Sequence, residues 1–425
     1  MKDAYLRLGV SPVKALLPRK DIPLAQWCVI ACDQYTSDRA YWQRVEASVS
    51  EAPSALRLIF PECYLEDPDG NQRIAAITQT METYLADGTL VEQPEGFILL
   101  RRTFADGRSR QGLVMGLDLE RYDYTPGAQS LIRCTEGTIE SRIPPRLKVR
   151  ENAPLELPHI MVLIDDPLDT VIGPLWEQRK GDAPTYEGNL NYGMGSILGY
   201  HIPFAQSKSV LNGLSDLFSA QERDAHPMLF AMGDGNHSFA TAKAHWERIK
   251  SQLSPAERQN HPARFAMCEL VNLHDPGLGF EAIHRVVFTQ TPDDALSAIA
   301  ANIQKAGYRL QIGTSPQSGL SIGYQAGNKA GSLTIENPGD ALAVSILDDA
   351  IASYLSASPQ DRVDYIHGEA ETRALAQKGV GFLLPSLAKS DLFPYVRQHG
   401  PLPRKTFSLG EADEKRCYLE ARKIR

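Results

Sequence analysis

Apolar positions recur along this chain with two periods, and the switches between them predict its elements. Met228–Met232 is a short continuous apolar run of buried-strand length, closed by Gly233-Asp234-Gly235-Asn236. From His237 onward Phe239, Ala242 and Trp246 recur at three- and four-residue spacing, with Lys243, Glu247 and Lys250 left for the wet side, which predicts a helix. The same period marks Ile74–Asp87, ended by Gly88, and Phe204–Arg223, whose stripe is Val210, Leu211, Leu214, Leu217 and Phe218. Apolar or alternating runs predict strands at Trp27–Ala31, Gly96–Arg101, Arg110–Asp118, Pro158–Ile164, Arg264–Leu273 and Ile283–Phe288. Asp106-Gly107 is the hairpin signal between the second and third of these. Leu190–Gly199, rich in Gly and Asn, reads as an open connection. Beyond Pro292, helices at Ala295–Ala306 and Ser345–Ser356 are interleaved with strands at Tyr308–Ile312, Leu320–Tyr324, Ser332–Glu336, Asp361–Gly368 and Val380–Leu384. The pattern predicts an α/β (α+β) chain: an N-terminal α/β region over 1–130, a core over 131–290 and a smaller α+β domain over 291–425.

Length and composition narrow the class. The 425 residues suffice for two or three domains, and 43% hydrophobic with 23% charged content is ordinary for a globular protein. A formal charge of −8 argues against a general nucleic-acid coat, while leaving room for a local cationic pocket. The six cysteines are scattered with no C-x-x-C pair, as expected of reduced thiols and not of a disulfide frame or zinc site. With no apolar h-region in Met1–Lys20 and no apolar run of about 18 residues, the expected location is cytoplasmic, away from membranes.

Three stretches carry candidate chemistry. A Gly-rich turn running into a helix start offers unpaired N–H groups and a positive dipole end, which suit a phosphate; Asn236 or Ser238 suits the cap. The plain alternative is a tight Asp234-Gly235 turn with His237 packed in the first turn. Arg133, Arg142, Arg146, Lys148 and Arg150 concentrate positive charge in an acidic chain, beside Glu136 as a carboxylate for proton transfer or metal binding. A salt-bridged surface connection is the competing reading, and Pro144-Pro145 argues for a loop through this stretch. Asp33, Gln34 and Tyr35 follow the strand at Trp27–Ala31, at the end where α/β proteins place ligands. No G-x-x-x-x-G-K-[ST] loop, G-x-G-x-x-G, G-x-S-x-G or H-E-x-x-H motif is present.

Asp234–Ala242 (DGNHSFATA) resembles the DGHHRY-x-TA signature of DUF1015, a family of bacterial and archaeal proteins. Arg133–Asp166, Asn272–Val286 and Pro401–Phe407 fall in that family's order, so the resemblance covers nearly the whole chain. The DGHHR element in turn is similar to the phosphate-binding motif of the ParB/sulfiredoxin-like superfamily, which includes a free-serine kinase. The resemblance implies a ParB/sulfiredoxin-like core with added N-terminal elements. It also implies a nucleotide-binding phosphotransferase or hydrolase acting on a small molecule, using a nucleoside di- or triphosphate with Mg²⁺. Gly233, Gly235, Asn236 and Ser238 would hold phosphate, helped by Arg133, Arg142 and Arg146. Asp234 or Glu136 would be the metal or base carboxylate, and His237 would donate to phosphate or act as the acid. Asn236 and Ser238 depart from the signature's His and Arg, so Arg142 and Arg146 are expected to converge on the turn in place of the lost guanidinium. The alternative is a non-catalytic nucleotide-sensing regulator, which Ser238 favours. Nucleic-acid binding is disfavoured by charge, and the metal, the oligomeric state and the acceptor substrate stay open.

Overall fold

The apolar runs assemble into two main sheets, a mixed one in the first of two compact units and one with antiparallel pairings in the second. The computed structural model describes residues 1–30, 35, 38–221, 224–314 and 318–425. The first unit comprises Met1–Leu278, Phe393–Pro401 and Leu409–Arg425; the second comprises Gly279–Leu392 and Leu402–Ser408. The fold is mixed α/β. Among the described residues no helix is long and apolar enough to cross a membrane.

The sheet of the first unit has nine strands. In chain order they are β1 (Val10–Ser11), β2 (Gly96–Thr103), β3 (Ser109–Asp118), β4 (Ile132–Arg133), β5 (Met161–Ile164), β6 (Tyr186–Asn189), β7 (Ser196–Pro203), β8 (Phe230–Asp234) and β9 (Phe265–Asn272). Their spatial order is β6-β7-β2-β3-β9-β5-β8-β4, with β1 added on β3. The centre reads as continuous apolar sequence because both faces are covered: Phe97 and Leu99 enter one cluster, while Ile98 and Leu100 enter another. Around it stand α1 (Gly70–Ala86), α2 (Ile143–Arg150), α3 (Lys208–Ser219) and α4 (Asn236–Lys250). The 2–3 hairpin closes where expected, with Gly107 at φ +87.

Two expectations fail here for local reasons. Pro144 and Pro145 do not keep 143–150 open; they occupy the first positions of α2, where a missing N–H breaks no intrahelical bond. Leu190–Gly199 is not all connection: Ser196–Gly199 pairs with β6 as the start of β7, and only Leu190–Gly195 forms the hairpin tip, where Tyr192, Gly193 and Gly195 at positive φ turn the chain.

A buried charge network closes this unit. Glu269 on β9 is 1% exposed, and Gly112 on β3 makes room for it, since a Cβ there would lie 2.5 Å from Glu269 Oε1. Arg416 reaches it from 147 residues downstream, donating to Glu269 Oε2 at 2.8 Å, to Glu420 Oε2 at 2.8 Å and to the Pro158 carbonyl at 3.2 Å. Arg110 stands 3.5 Å from its other oxygen. Burial alone would raise the Glu269 carboxyl, but Arg110 and Arg416 outweigh it and hold the group below its ordinary range.

In the second unit the strands β10 (Phe280–Phe288), β11 (Leu310–Gly313), β12 (Leu320–Ala326), β13 (Lys329–Ile335), β14 (Arg362–His367) and β15 (Gly379–Leu383) lie in the order β11-β13-β12-β15-β10-β14. They pack with α5 (Pro292–Lys305) and α6 (Ala343–Ala357). Arg285, fully buried, takes Asp348 on α6 at 2.8 Å and the carbonyls of Ile283 and Lys405, which ties these segments into the unit's interior.

Gly235 combines a positive φ with a close neighbour at the turn that opens α4. It sits at φ +81, and a Cβ there would lie 3.0 Å from Ile160 Cγ1. Gly235→Ala is expected to lower stability by about 1–3 kcal/mol. Urea unfolding should show this as a lower midpoint with an unchanged slope.

Candidate functional site

The site is built where β8 ends and α4 begins. Gly233 is pressed from above by Leu409, whose Cδ1 would lie 2.7 Å from a Cβ at that position. Gly235 in the left-handed region then swings the chain into α4. Asp234 caps the turn from within, its Oδ1 accepting the Gly235 N–H at 2.7 Å. By helix geometry the first amides of α4, from Asn236 to Ser238, have no carbonyl partner inside the helix. Asn236 is buried, and its Oδ1 has no hydrogen-bond partner among the described residues.

A second loop is fastened beside this turn. β4 runs parallel to β8, with Ile132 opposite Phe230 and Arg133 opposite Ala231. Past the ladder, Thr135 Oγ1 donates to the Met232 carbonyl at 2.6 Å. Four residues later the Ile139 N–H donates to His237 Nε2 at 3.2 Å. Glu136, half-buried, lies between these two fastenings. Asp234 and His237 thus flank the turn, and the loop that carries Glu136 is tied to it at Thr135 and Ile139. The Ile139 contact makes Nε2 of His237 an acceptor, which places the proton of the neutral ring on Nδ1.

The arginines divide. Arg146 lines the same cleft as Ser238, a space of about 200 Å³ open to solvent and bounded also by Phe60, Arg150, His159 and Tyr418. Its guanidinium is hydrogen-bonded to Glu62, also a lining residue, and donates to the Arg142 carbonyl at 3.0 Å. Arg142 is exposed and is not among the cleft's lining residues, so the expected convergence of the pair is not seen. Its place at the N-cap of α2 leaves its side chain to solvent. Arg133 is buried and committed to the Ser130 carbonyl at 3.1 Å and the His226 carbonyl at 2.7 Å, which makes it a tie within the fold. Tyr35 stacks on Tyr41 with centroids 3.9 Å apart and is half-buried; Asp33 and Gln34 lie outside the described residues.

Sequence reasoning missed Glu62, His159, Lys415 and Tyr418. His159 Nδ1 and the Tyr418 hydroxyl are 2.9 Å apart at the cleft, and Lys415 Nζ stands 3.3 Å from Asp234 Oδ2. None sits in a recognisable spacing, because each reaches the site through tertiary packing.

The family model described as a protein of unknown function, DUF1015, matches residues 10–362. The chain belongs to the DUF1015 family. A comparison with curated proteins found no match. Among solved structures, a free serine kinase in complex with AMP aligns over 73% of this DUF1015 chain and 92% of its own, at a TM-score of 0.38 and 8% identity. SbnI with a C-terminal truncation, from Staphylococcus aureus, aligns over 72% and 85%, at 0.39 and 12%. A conserved hypothetical protein from Pyrococcus furiosus aligns over 69% and 89%, at 0.34 and 7%. Likeness at this level leaves the chemistry to be read from the residues of this DUF1015 chain itself.

Charge beneath the site is tightly paired. Glu156 accepts from Arg150 at 2.6 Å, from Arg422 at 2.8 Å and from the Met267 N–H at 2.9 Å. Burial would raise its carboxyl, yet Arg150 and Arg422 hold it below the ordinary range. His245 on α4, 5% exposed, is pushed down to about 4 by burial and then by Arg150 and Arg425. The folded chain thus holds His245 neutral, while the unfolded chain protonates it near its ordinary 6.5. Below that pH the unfolded state binds the extra proton, so stability falls as pH drops from 6.5 towards 4. His245→Gln is expected to flatten this part of the profile, read as the melting temperature of variant and parent across that window.

Proposed function

We propose that this chain binds a nucleoside di- or triphosphate with its phosphates against the turn Gly233–Ser238, and transfers or hydrolyses the terminal phosphate. The acceptor is a small molecule or water, and the core carrying the site is ParB/sulfiredoxin-like. One observation carries the reading. The loop carrying Glu136 is fastened through Thr135 and Ile139 to the strand end and the His237 ring at the start of α4, which supports a carboxylate acting at that helix start. Phosphoryl transfer depends mainly on positioning and charge neutralisation, and a helix start supplies oriented N–H donors for that purpose.

Each residue then has a role. The amides of Asn236–Ser238 hold phosphate oxygens, and Arg146 reaches the same anion from the cleft it shares with Ser238. Glu136 takes the proton from the attacking hydroxyl or water, and His237, with its proton on Nδ1, donates to phosphate or to the leaving group. Among the described residues no three His, Cys, Asp or Glu side chains converge as metal ligands. Mg²⁺ needs only one or two carboxylates when phosphates complete its shell, and Asp234 and Glu136 fit as those hard oxygen donors. When bound, the ion neutralises phosphate charge. A sensing role without turnover is the second reading, and the engagement of Arg146 by Glu62 together with Ser238 in the signature's Arg position favours it.

Two measurements test the proposal. In calorimetric titration with ADP and ATP, with and without Mg²⁺, Arg146→Ala should weaken binding by about 1–3 kcal/mol; unchanged affinity would assign Arg146 to its Glu62 pair alone. In a phosphate-release assay Glu136→Gln should keep nucleotide affinity but lose on the order of 10²-fold or more of the rate. Parent protein that binds nucleotide yet releases no phosphate would favour the sensing role.

A further inference from the structure

We propose that Lys415, delivered by the C-terminal segment, is the cation that replaces the signature's missing arginine and contacts the nucleotide's terminal phosphate. This rests on the nucleotide reading above and adds a residue to it.

The segment Leu409–Tyr418 walls the turn at three places. Leu409 covers Gly233, Lys415 meets Asp234, and Tyr418 lines the cleft beside Ser238. Glu414, Lys415 and Arg416 are consecutive and all buried, yet they face different partners. Glu414 takes Arg108 and the Glu411 N–H, and Arg416 takes Glu269 and Glu420. These neighbours secure the backbone on both sides of Lys415, so its side chain is directed by them to Asp234.

The setting of that pair differs from its neighbours'. Arg416 and Glu269 are each 2% exposed, a pair sealed within the fold. Lys415 is 9% exposed at its side chain, while Asp234 is 31% exposed, so the pair lies where the turn opens to solvent. Burying a lysine is costly and is seldom done without a strong anionic partner. Asp234 ends two residues before the amides of Asn236–Ser238, so a phosphate on those amides would be a second anion for the same ammonium. Lysine serves such sites as a point charge. The carboxylate holds the ammonium in place until the phosphate arrives, which makes Asp234 its positioning residue.

Calorimetry with ADP, ATP and adenosine on the full chain tests this. Lys415→Met should weaken ADP and ATP about 10-fold or more and leave adenosine unchanged. Lys415→Arg, which keeps the charge, should stay close to the parent, and Ser238→Arg added to Lys415→Met should recover most of the loss. Equal ADP affinity for Lys415→Met and parent would overturn the inference while leaving the nucleotide reading standing. Failure of the parent to bind ADP or ATP would overturn the reading and the inference with it. If Lys415→Met does not fold, the parent itself decides. An acyl phosphate of ADP acylates a lysine near the terminal phosphate: the amine attacks the acyl carbon, ADP leaves with the bonding pair, and the amine loses a proton to solvent. The Lys415 peptide should carry the label and excess ADP should suppress it; labelling confined to other lysines would overturn the inference.

Discussion

Glu269 is the charge on which the arrangement of the first unit depends. A carboxylate on a central strand, 1% exposed, would be intolerable alone, since an unpaired buried ion costs several kcal/mol. Its partner Arg416 lies 147 residues further along, so the chain must leave for the second unit and return before the charge is compensated. Removing only one partner leaves the other buried and uncompensated, a loss greater than the net worth of the pair. The returning segment is thereby placed with the precision of a hydrogen-bonded network and not of a surface tail.

That return has a consequence for chemistry. Between Glu414 and Arg416, both tied down, Lys415 has little freedom in where it presents its ammonium, and it presents it to Asp234. The Glu136 loop is constrained by the same logic on a smaller scale, fastened once to a β8 carbonyl and once to the His237 ring. Preorganised groups of this kind cost no reorganisation when charge develops, as the phosphoryl transfer proposed above would require. Beneath them Arg150 and Arg422 keep the Glu156 carboxylate charged, while burial, helped by Arg150 and Arg425, keeps His245 neutral.

Much of the scaffold was legible from periodicity. The strand–turn–helix at Phe230–Lys250, the hairpin around Asp106-Gly107 and the elements after Pro292 were expected and are found, because each has a strong local period with its own stop signal. The failures are equally local. Prolines at helix starts look like breakers unless the first-turn exception is weighed, and a Gly- and Asn-rich run suits a hairpin tip as well as an open connection.

The sequence by itself determined the elements, the Gly-rich turn and the family, because backbone conformation at Gly235 and the 3.6-residue period of α4 are properties of neighbouring residues. It also marked Asp234 or Glu136 as the candidate carboxylate and His237 as the candidate acid, the roles coming from the family resemblance. Only the tertiary structure decided which cations stand near the turn. Arg133 and Arg142, prominent in sequence, are respectively tied to backbone carbonyls and left to solvent, while Lys415, which no pattern marks, stands at the turn. The reason is physical: a charged side chain is placed by the buried partners of its neighbours, and here two of those partners, Glu269 and Arg108, lie 147 and 306 residues away in the chain.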